Sequence, residues 1–500
     1  MQSKLSFNLK TCADWFFYIC LTVWVSILAL QCGQDVIGLE MLPLRDIDEF
    51  AFQEVLTFLE KQWQQQGVYE YFTAKFTSFG YGSTWWNIVH FSTKIFEPFS
   101  WRLAAPRFLS LGFSTWALIF LYRETKKQSA FLAFVFGLFY LSVSVLAEDS
   151  YRFHNHSFLF FLGMLCLVFT VFRKERSLVV AAAAGFATGT KISFLPVGVF
   201  FIALSLVSIP KLSFRKYAET AWIYFYSCLF AIAVPNVLLI PAFKTVPNFY
   251  EEVIAVMRRN AGGRSLQWQW EAMLTMLNNN YGLNIWASGG FALLFLTAAY
   301  WAIKNKNRVV GLAVLGVLGI TFFLMMILNT IFGTTDAAHY GLPGSLIILA
   351  SIIVFHQHLS KWGKRGLEAW ILLLFLAVFT NANFIDGNFY LHISQWRKDR
   401  DAKKIELVEK AKKYMDVYKG KSKLLFHMDF PATYKYEPEN GKQIMVPSFK
   451  QLDFSPDDHC VFLLFIEEDI PRFNLTLVID NKSSGKFGFI KETCPGLAEN

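Results

Sequence analysis

Asp46-Ile47-Asp48-Glu49 places three carboxylates a short way past the first long apolar run, Trp15 to Leu30. A carboxylate held beside a bilayer can take the proton from a hydroxyl as that hydroxyl attacks an electrophile. Asp48 is the candidate base, with Asp46 its competitor and Glu49 its neighbour. The same residues also suit a helix start, with Asp48 as N-cap and Glu49 in a first turn that favours negative charge. The two roles are compatible, because a capping side chain is held in place.

A second set of groups could act with them. Glu148 and Asp149 close the third apolar span, where they read as a polar turn or, for Asp149, as one wall of an acceptor or metal site. Arg107 stands at the end of the second span, Lys191 interrupts an apolar run, and His339 and Tyr340 precede the tenth span. A lone cation at headgroup depth often snorkels or binds anionic lipid. Cations at membrane depth are costly, however, and usually face an interior or a watery cavity. Three near one surface, with acids opposite, suit a lipid phosphate.

These groups need a membrane scaffold to position them. The chain has 500 residues, 54% hydrophobic and 17% charged, with 53 Phe. Soluble globular chains carry about one charged residue in four. Eleven apolar spans approach the ~20 residues that cross a bilayer as a helix: 14–32, 103–122, 129–147, 157–172, 177–190, 192–210, 221–243, 285–303, 309–331, 342–357 and 367–384. Only Lys191 separates the fifth from the sixth, so a broken or re-entrant helix fits there. Residues 15–34 lack both charge and a small-x-small cleavage site, so they read as a retained first helix rather than a signal peptide.

The basic residues orient the spans. With a cytoplasmic N-terminus, inner segments hold Lys4 and Lys10, Arg123 to Lys127, Arg173 to Arg176, Lys211 to Lys216, Lys304 to Arg308 and Lys361 to Arg365. The short outer turns hold only Arg152 and Lys191, the asymmetry that the positive-inside rule requires. The predicted fold is thus an all-α polytopic membrane domain, 1–384, with outer loops at 33–102 and 244–284 and a small α+β domain outside at 385–500. In the first loop Phe52, Val55, Leu56, Leu59 and Trp63, then Trp85, Trp86, Ile88, Val89 and Phe96, recur at the spacing of amphipathic surface helices. The second loop is polar, with Asn278-Asn279-Asn280. The tail has a charged helix over 394–418, ended by Gly420, and strand-like runs at 424–426, 461–465 and 475–479. Asn-x-Ser/Thr matches at Asn155, Asn474 and Asn481 all fall on the predicted outer side.

Several function classes drop out. The net charge of +9 is dispersed between spans with no basic, aromatic-interleaved patch, which argues against nucleic acid. Cys12, Cys20, Cys32, Cys166 and Cys228 lie in or near apolar spans as packing residues, and no Cys/His spacing supports zinc. Cys460 and Cys494 can pair if the tail meets an oxidising compartment. The chain lacks a Walker loop, a dinucleotide glycine fingerprint and a His-Glu-x-x-His motif, so a membrane-borne substrate would have to carry the energy.

The ordered motifs resemble the GT-C glycosyltransferases, and within them the group of protein O-mannosyltransferases and the lipid A aminoarabinose transferase. Asp48-Glu49-Phe50-Ala51-Phe52 is similar to that group's Asp-Glu-x-x-Tyr segment, and Trp101 to Leu111 to its Arg-Leu start of the second span. Ala184 to Leu195 resembles its Gly-rich, Thr-Lys stretch, and Ala338 to Pro343 its Arg-Tyr-x-x-Pro turn. The resemblance runs over about 10–385. It implies Asp48 as base, Arg107 and Lys191 on the donor phosphate, and Asp149 on the acceptor side. His339 stands where Arg is usual and Phe52 where Tyr is usual.

The expected function is inverting transfer of a sugar from a polyprenyl-phosphate donor to a hydroxyl on a protein, lipid or polysaccharide. No cofactor is required, and a divalent cation beside Asp48 and Asp149 is compatible with the two acids. The expected setting is a bacterial inner membrane, with the endoplasmic reticulum as alternative. A flippase or transporter of lipid-linked saccharides is the rival reading, and a noncatalytic scaffold the third. A transporter should show charges along a midplane pathway and internal repeats; the notable charges here gather at one edge.

Overall fold

A computed structural model describes residues 2–37, 55–56, 59–60, 63–64, 81–96, 105–151, 154–173, 177–209, 213–233, 246–247, 249–251, 253–254, 265–330 and 334–381, together with five strands between 423 and 489. The chain divides into two compact units, Met1–Cys32 with Val55–Phe389, and Gly33–Glu54 with Tyr390–Asn500.

The first unit is helical among its described residues. Its helices are α1 Gln2–Ile37, α2 Ser83–Phe96, α3 Ala105–Lys126, α4 Ala130–Ser142, α5 Ser144–Tyr151, α6 His156–Leu167, α7 Ser177–Thr190, α8 Leu195–Val207 and α9 Phe214–Ala233. They continue with α10 Leu266–Tyr281, α11 Ile285–Lys304, α12 Arg308–Thr330, α13 Thr334–His358 and α14 Lys361–Asn381. Among the described residues four stretches are long and apolar enough to cross a membrane: Cys12–Leu30, Ile285–Lys304, Arg308–Leu328 and Ala338–His358. A bent pair, Ala130–Ser142 with Val145–Tyr151, makes a fifth if taken as one span. The expected eleven therefore are not all continuous spans. The chain is an integral membrane protein whose central helix α13 is mostly buried, while α11 and α12 leave most of their apolar surface outward.

Small residues set the closest packing. Gly185 and Gly189, four apart on α7, let α9 approach until a Cβ on either would stand 2.2 Å from a carbonyl oxygen, of Tyr224 or Cys228. Such small-xxx-small pairs bring two helix backbones together where lipid offers no hydrophobic drive. At the far end of the bundle, Tyr122 on α3 stacks on Phe17 of α1 at 3.8 Å and donates to Asp14 at 2.8 Å. Basic residues cluster at that end. Lys126 pairs with Asp14, and Arg173 and Lys127 pair with Glu124. Ser129, which caps α4 through Leu132, also donates to Glu368 at 2.7 Å.

Several local expectations are corrected. The third span breaks at Val143 and bends by 65°, so Glu148 and Asp149 lie within α5 and not in a turn. His339 and Tyr340 also lie in a helix, because α13 begins at Thr334 and passes through Pro343. That proline withdraws only the amide that the His339 carbonyl would accept, and α13 continues. The Asn-rich segment of the second loop is the last turn of α10. Ser265 accepts from Trp268 at its start, and Gly282, at φ 68°, ends it with bonds back to Asn278 and Leu277. Trp85, Trp86 and Val89 do not face a membrane surface; all three are fully buried against protein. Asn155 is also fully buried, which removes it as a surface glycosylation acceptor.

Val55, Leu56 and Leu59 are buried as well, and beside them Glu60 joins His90 at 2.8 Å and Lys94. Burial alone would push the Glu60 carboxyl up. Hydrogen bonds and charge from Lys94 and His90 outweigh it and leave the group below its ordinary value.

The second unit is described in its strands. β1 Lys423–His427 lies between β2 Ile444–Val446 and β3 Val461–Leu463, parallel to both, while β4 Thr476–Asn481 and β5 Gly485–Phe489 form an antiparallel pair. The runs read as strands at 424–426, 461–465 and 475–479 overlap β1, β3 and β4. The 394–418 helix, Cys460, Cys494 and Asn474 lie outside the described residues.

Candidate functional site

The chain around Lys191 is held by its backbone before any side chain is considered. α7 stops at Thr190, and Lys191 turns extended, with φ −153° and ψ 120°. It bridges Tyr81 in antiparallel fashion, and the Gly82 amide donates to the Thr190 carbonyl at 3.1 Å. Gly82 is required here, since a Cβ would lie 2.4 Å from the carbonyl oxygens of both Ala231 and Gly189. Ser83 and Thr84 then donate to the carbonyls of Ile232 and Phe230, fastening the start of α2 to the end of α9. A single 3-10 turn, Ile192–Phe194, leads into α8, whose first turn carries Pro196. Proline suits that position, where its missing amide costs nothing. The expected break in the fifth and sixth spans is therefore a built feature.

The Lys191 side chain is buried at 6% exposure among rings. Its Nζ lies 4.9 Å from the Tyr81 ring centroid and 4.3 Å from that of Tyr340. It is 3.4 Å from the Tyr81 hydroxyl and 3.2 Å from His156 Nε2. An ammonium has only donors, so His156 accepts at Nε2 and, when neutral, carries its proton on Nδ1. His154 stacks on His156 with centroids 4.1 Å apart. The Asn155 amide donates to His154 Nδ1 at 3.1 Å, which leaves the proton of neutral His154 on Nε2, facing the Tyr81 hydroxyl at 3.5 Å. The two stacked rings thus hold opposite tautomers.

On the other side of His156, at 5.4 Å, stands the ring of His339. His339 Nδ1 lies 2.8 Å from Asp149 Oδ1, and both side chains are buried. Tyr281, at the end of α10, donates to the Ala338 carbonyl at 2.6 Å and so fixes the turn of α13 that carries His339. Burial, with the Asp149 charge nearby, pushes the Tyr281 phenol well above its usual value and keeps it a donor.

The structure thus joins four expected residues, Lys191, Tyr340, His339 and Asp149, in one chain of contacts through His156. Arg107 is buried in the first turn of α3, and Ser110, three residues on, donates to the His154 carbonyl at 3.3 Å. Glu148 precedes Asp149 on α5 and is half-buried. Asp46, Asp48 and Glu49 lie outside the described residues, and so does one half of the expected cation site. Among the described residues no group of three or more His, Cys, Asp and Glu could hold a metal. Sequence reasoning missed Tyr81, His154, His156 and Tyr281. The His-x-His at the start of α6 is the signal that could have drawn attention, but the Asn155 triplet between the two rings was read as surface.

No family model matches the sequence, and no curated protein matches it. Two solved structures share its fold. ArnT from Cupriavidus metallidurans in the apo state is 11% identical, with a TM-score of 0.56 over 96% of this chain and 98% of its own. The same protein bound to undecaprenyl phosphate is 13% identical, with a TM-score of 0.52 over 94% of this chain and 98% of its own. The fold expected from the ordered motifs is therefore one that this chain shares with ArnT.

Proposed function

We propose that this chain is a membrane glycosyltransferase that takes a sugar from a polyprenyl-phosphate donor and passes it to an acceptor hydroxyl. The observation that carries the reading is the buried Lys191 ammonium, set over two tyrosine rings at a break between helices. A fold shared with a protein that binds undecaprenyl phosphate supports it. Lys191, His339 and Arg107 form the cationic side, which would stabilise charge building on the departing phosphate. Asp48, by its resemblance to the family motif, is the base, with Asp46 and Glu49 beside it, and Asp149 belongs to the acceptor side.

In the reaction the acceptor oxygen attacks the anomeric carbon as the carbon–oxygen bond to phosphate breaks. The bonding pair leaves with the phosphate, and the hydroxyl proton passes to Asp48. One displacement inverts the anomeric centre. The sugar is a hexose or pentose, and the acceptor is a protein, lipid or polysaccharide. The setting is a bacterial inner membrane with the site on the extracytoplasmic face.

The test uses the full chain in vesicles with a labelled polyprenyl-phosphate sugar. Asp48→Asn should insert normally yet lose transfer, and Lys191→Ala should raise the KM for donor. Near wild-type transfer by purified Asp48→Asn would overturn the base assignment. Movement of intact labelled donor across the bilayer, without transfer, would establish the flippase instead.

A further inference from the structure

We propose that His156 is a positioning residue for the anion-binding lysine: it fixes the direction of the Lys191 ammonium, and His154 and Tyr81 hold it in that role. The inference rests on the reading of Lys191 as the donor-phosphate group.

An ammonium on a four-carbon stem has many rotamers, and an anion that meets it must restrict them. Here the restriction is made in advance. One N–H of Lys191 is taken by His156 Nε2 at 3.2 Å and another points at the Tyr81 hydroxyl at 3.4 Å. Two directions of a tetrahedral group set the remaining one. His156 can hold its place only if its ring is itself fixed. The face of His154 at 4.1 Å, the edge contact with Tyr340 at 5.4 Å and its position at the first residue of α6 supply that. His154 is held in turn by the Asn155 amide and by Tyr81. The loop is closed. Tyr81 contacts both the lysine and the outer histidine, so moving any member disturbs the others.

The tautomer makes the role specific. His156 must present a bare Nε2 to Lys191, which only a neutral ring protonated at Nδ1 does. A side chain of similar size without an acceptor there would fill the space and remove that bond from the ammonium. This separates positioning from packing.

The experiment compares His156→Phe, His156→Gln and Lys191→Ala in the full chain reconstituted in nanodiscs. It measures undecaprenyl phosphate affinity together with kcat and KM for sugar transfer. His156→Phe keeps a flat ring for His154 to stack on but has no acceptor; His156→Gln restores an acceptor oxygen near the Nε2 position. The expected result is at least a tenfold loss of lipid-phosphate affinity and a matching rise in donor KM for Phe, with most of the loss recovered by Gln. A thermal-unfolding curve checks that both variants fold. If either does not, His154→Phe, one residue further from the lysine, is measured in its place and should weaken affinity without removing it. Weak binding by Lys191→Ala with wild-type binding by His156→Phe would overturn the positioning role alone. Wild-type binding by Lys191→Ala would overturn the donor-phosphate reading on which it stands.

Discussion

Replacing Gly189 by Ala tests the packing that delivers Lys191. The added Cβ would sit 2.2 Å from the Cys228 carbonyl oxygen and 2.8 Å from the Ala231 Cβ. Backbone atoms of α9 cannot swing aside as a side-chain tip can, so α7 and α9 must separate by about 1 Å, and overpacking of this kind costs roughly 1–3 kcal/mol. The displacement occurs two residues before Lys191. A misplacement of ~1 Å at a substrate-positioning group can cost about a hundredfold in rate. Gly112 on α3 provides the control, since a Cβ there meets nothing within 4 Å. In a helix interior Gly→Ala at such a site should be neutral or stabilising by about 0.5–1 kcal/mol. The assay is thermal unfolding in lipid nanodiscs, followed by undecaprenyl phosphate affinity for both variants. Gly189→Ala should melt below wild type and bind the lipid more weakly, while Gly112→Ala should do neither. A Gly189→Ala protein that melts at or above wild type with unchanged affinity would refute the close helix contact and its link to Lys191.

Two further outcomes follow from the polar contacts. Glu60, held below its ordinary value by Lys94 and His90, contributes stability that is present above the unfolded carboxyl value of about 4.3 and is lost as pH falls through the folded one. Glu60→Gln should therefore destabilise by roughly 1 kcal/mol at pH 7, as for a partly exposed ion pair. Its difference from wild type should shrink below about pH 4, measured by denaturant unfolding across that range. Tyr281→Phe removes the donor to the Ala338 carbonyl. It should cost about 0.5–1.5 kcal/mol, the net contribution of one intramolecular hydrogen bond; an unchanged unfolding midpoint would count against that bond.

Much of the helical frame was legible because its signals are local. Apolar runs mark α4 and α11, whereas α10, capped by Ser265 and ended by left-handed Gly282, is polar enough to read as a loop. A lysine inside an apolar run marked the break between α7 and α8. The bend at Val143 was not legible, since Ser142 and Ser144 beside it are small enough to be carried by an apolar helix. Pro343 misled in the opposite direction: a helix can pass through one proline, but the sequence pattern alone reads it as a boundary. The tryptophans of α2 gave the right periodicity and the wrong partner. An amphipathic period specifies an apolar face, not whether lipid or protein covers it.

The site followed the same division. Charged residues were found because charge is conspicuous in an apolar chain, and Lys191, Asp149 and His339 came from that signal. The groups that hold them were missed because neutral rings are ordinary in a chain with 53 Phe and 19 Tyr. Their importance arises only from contacts across long stretches of chain, such as Tyr81 with Lys191 and His156 with His339. Yet the neutrality of those rings is what suits them to the role. Removing an ammonium from water costs several kcal/mol. Tyrosine faces contribute about 0.5–2 kcal/mol each by cation–π attraction, and an imidazole nitrogen accepts a hydrogen bond. Among the described residues these groups offset part of the cost of burying the ammonium.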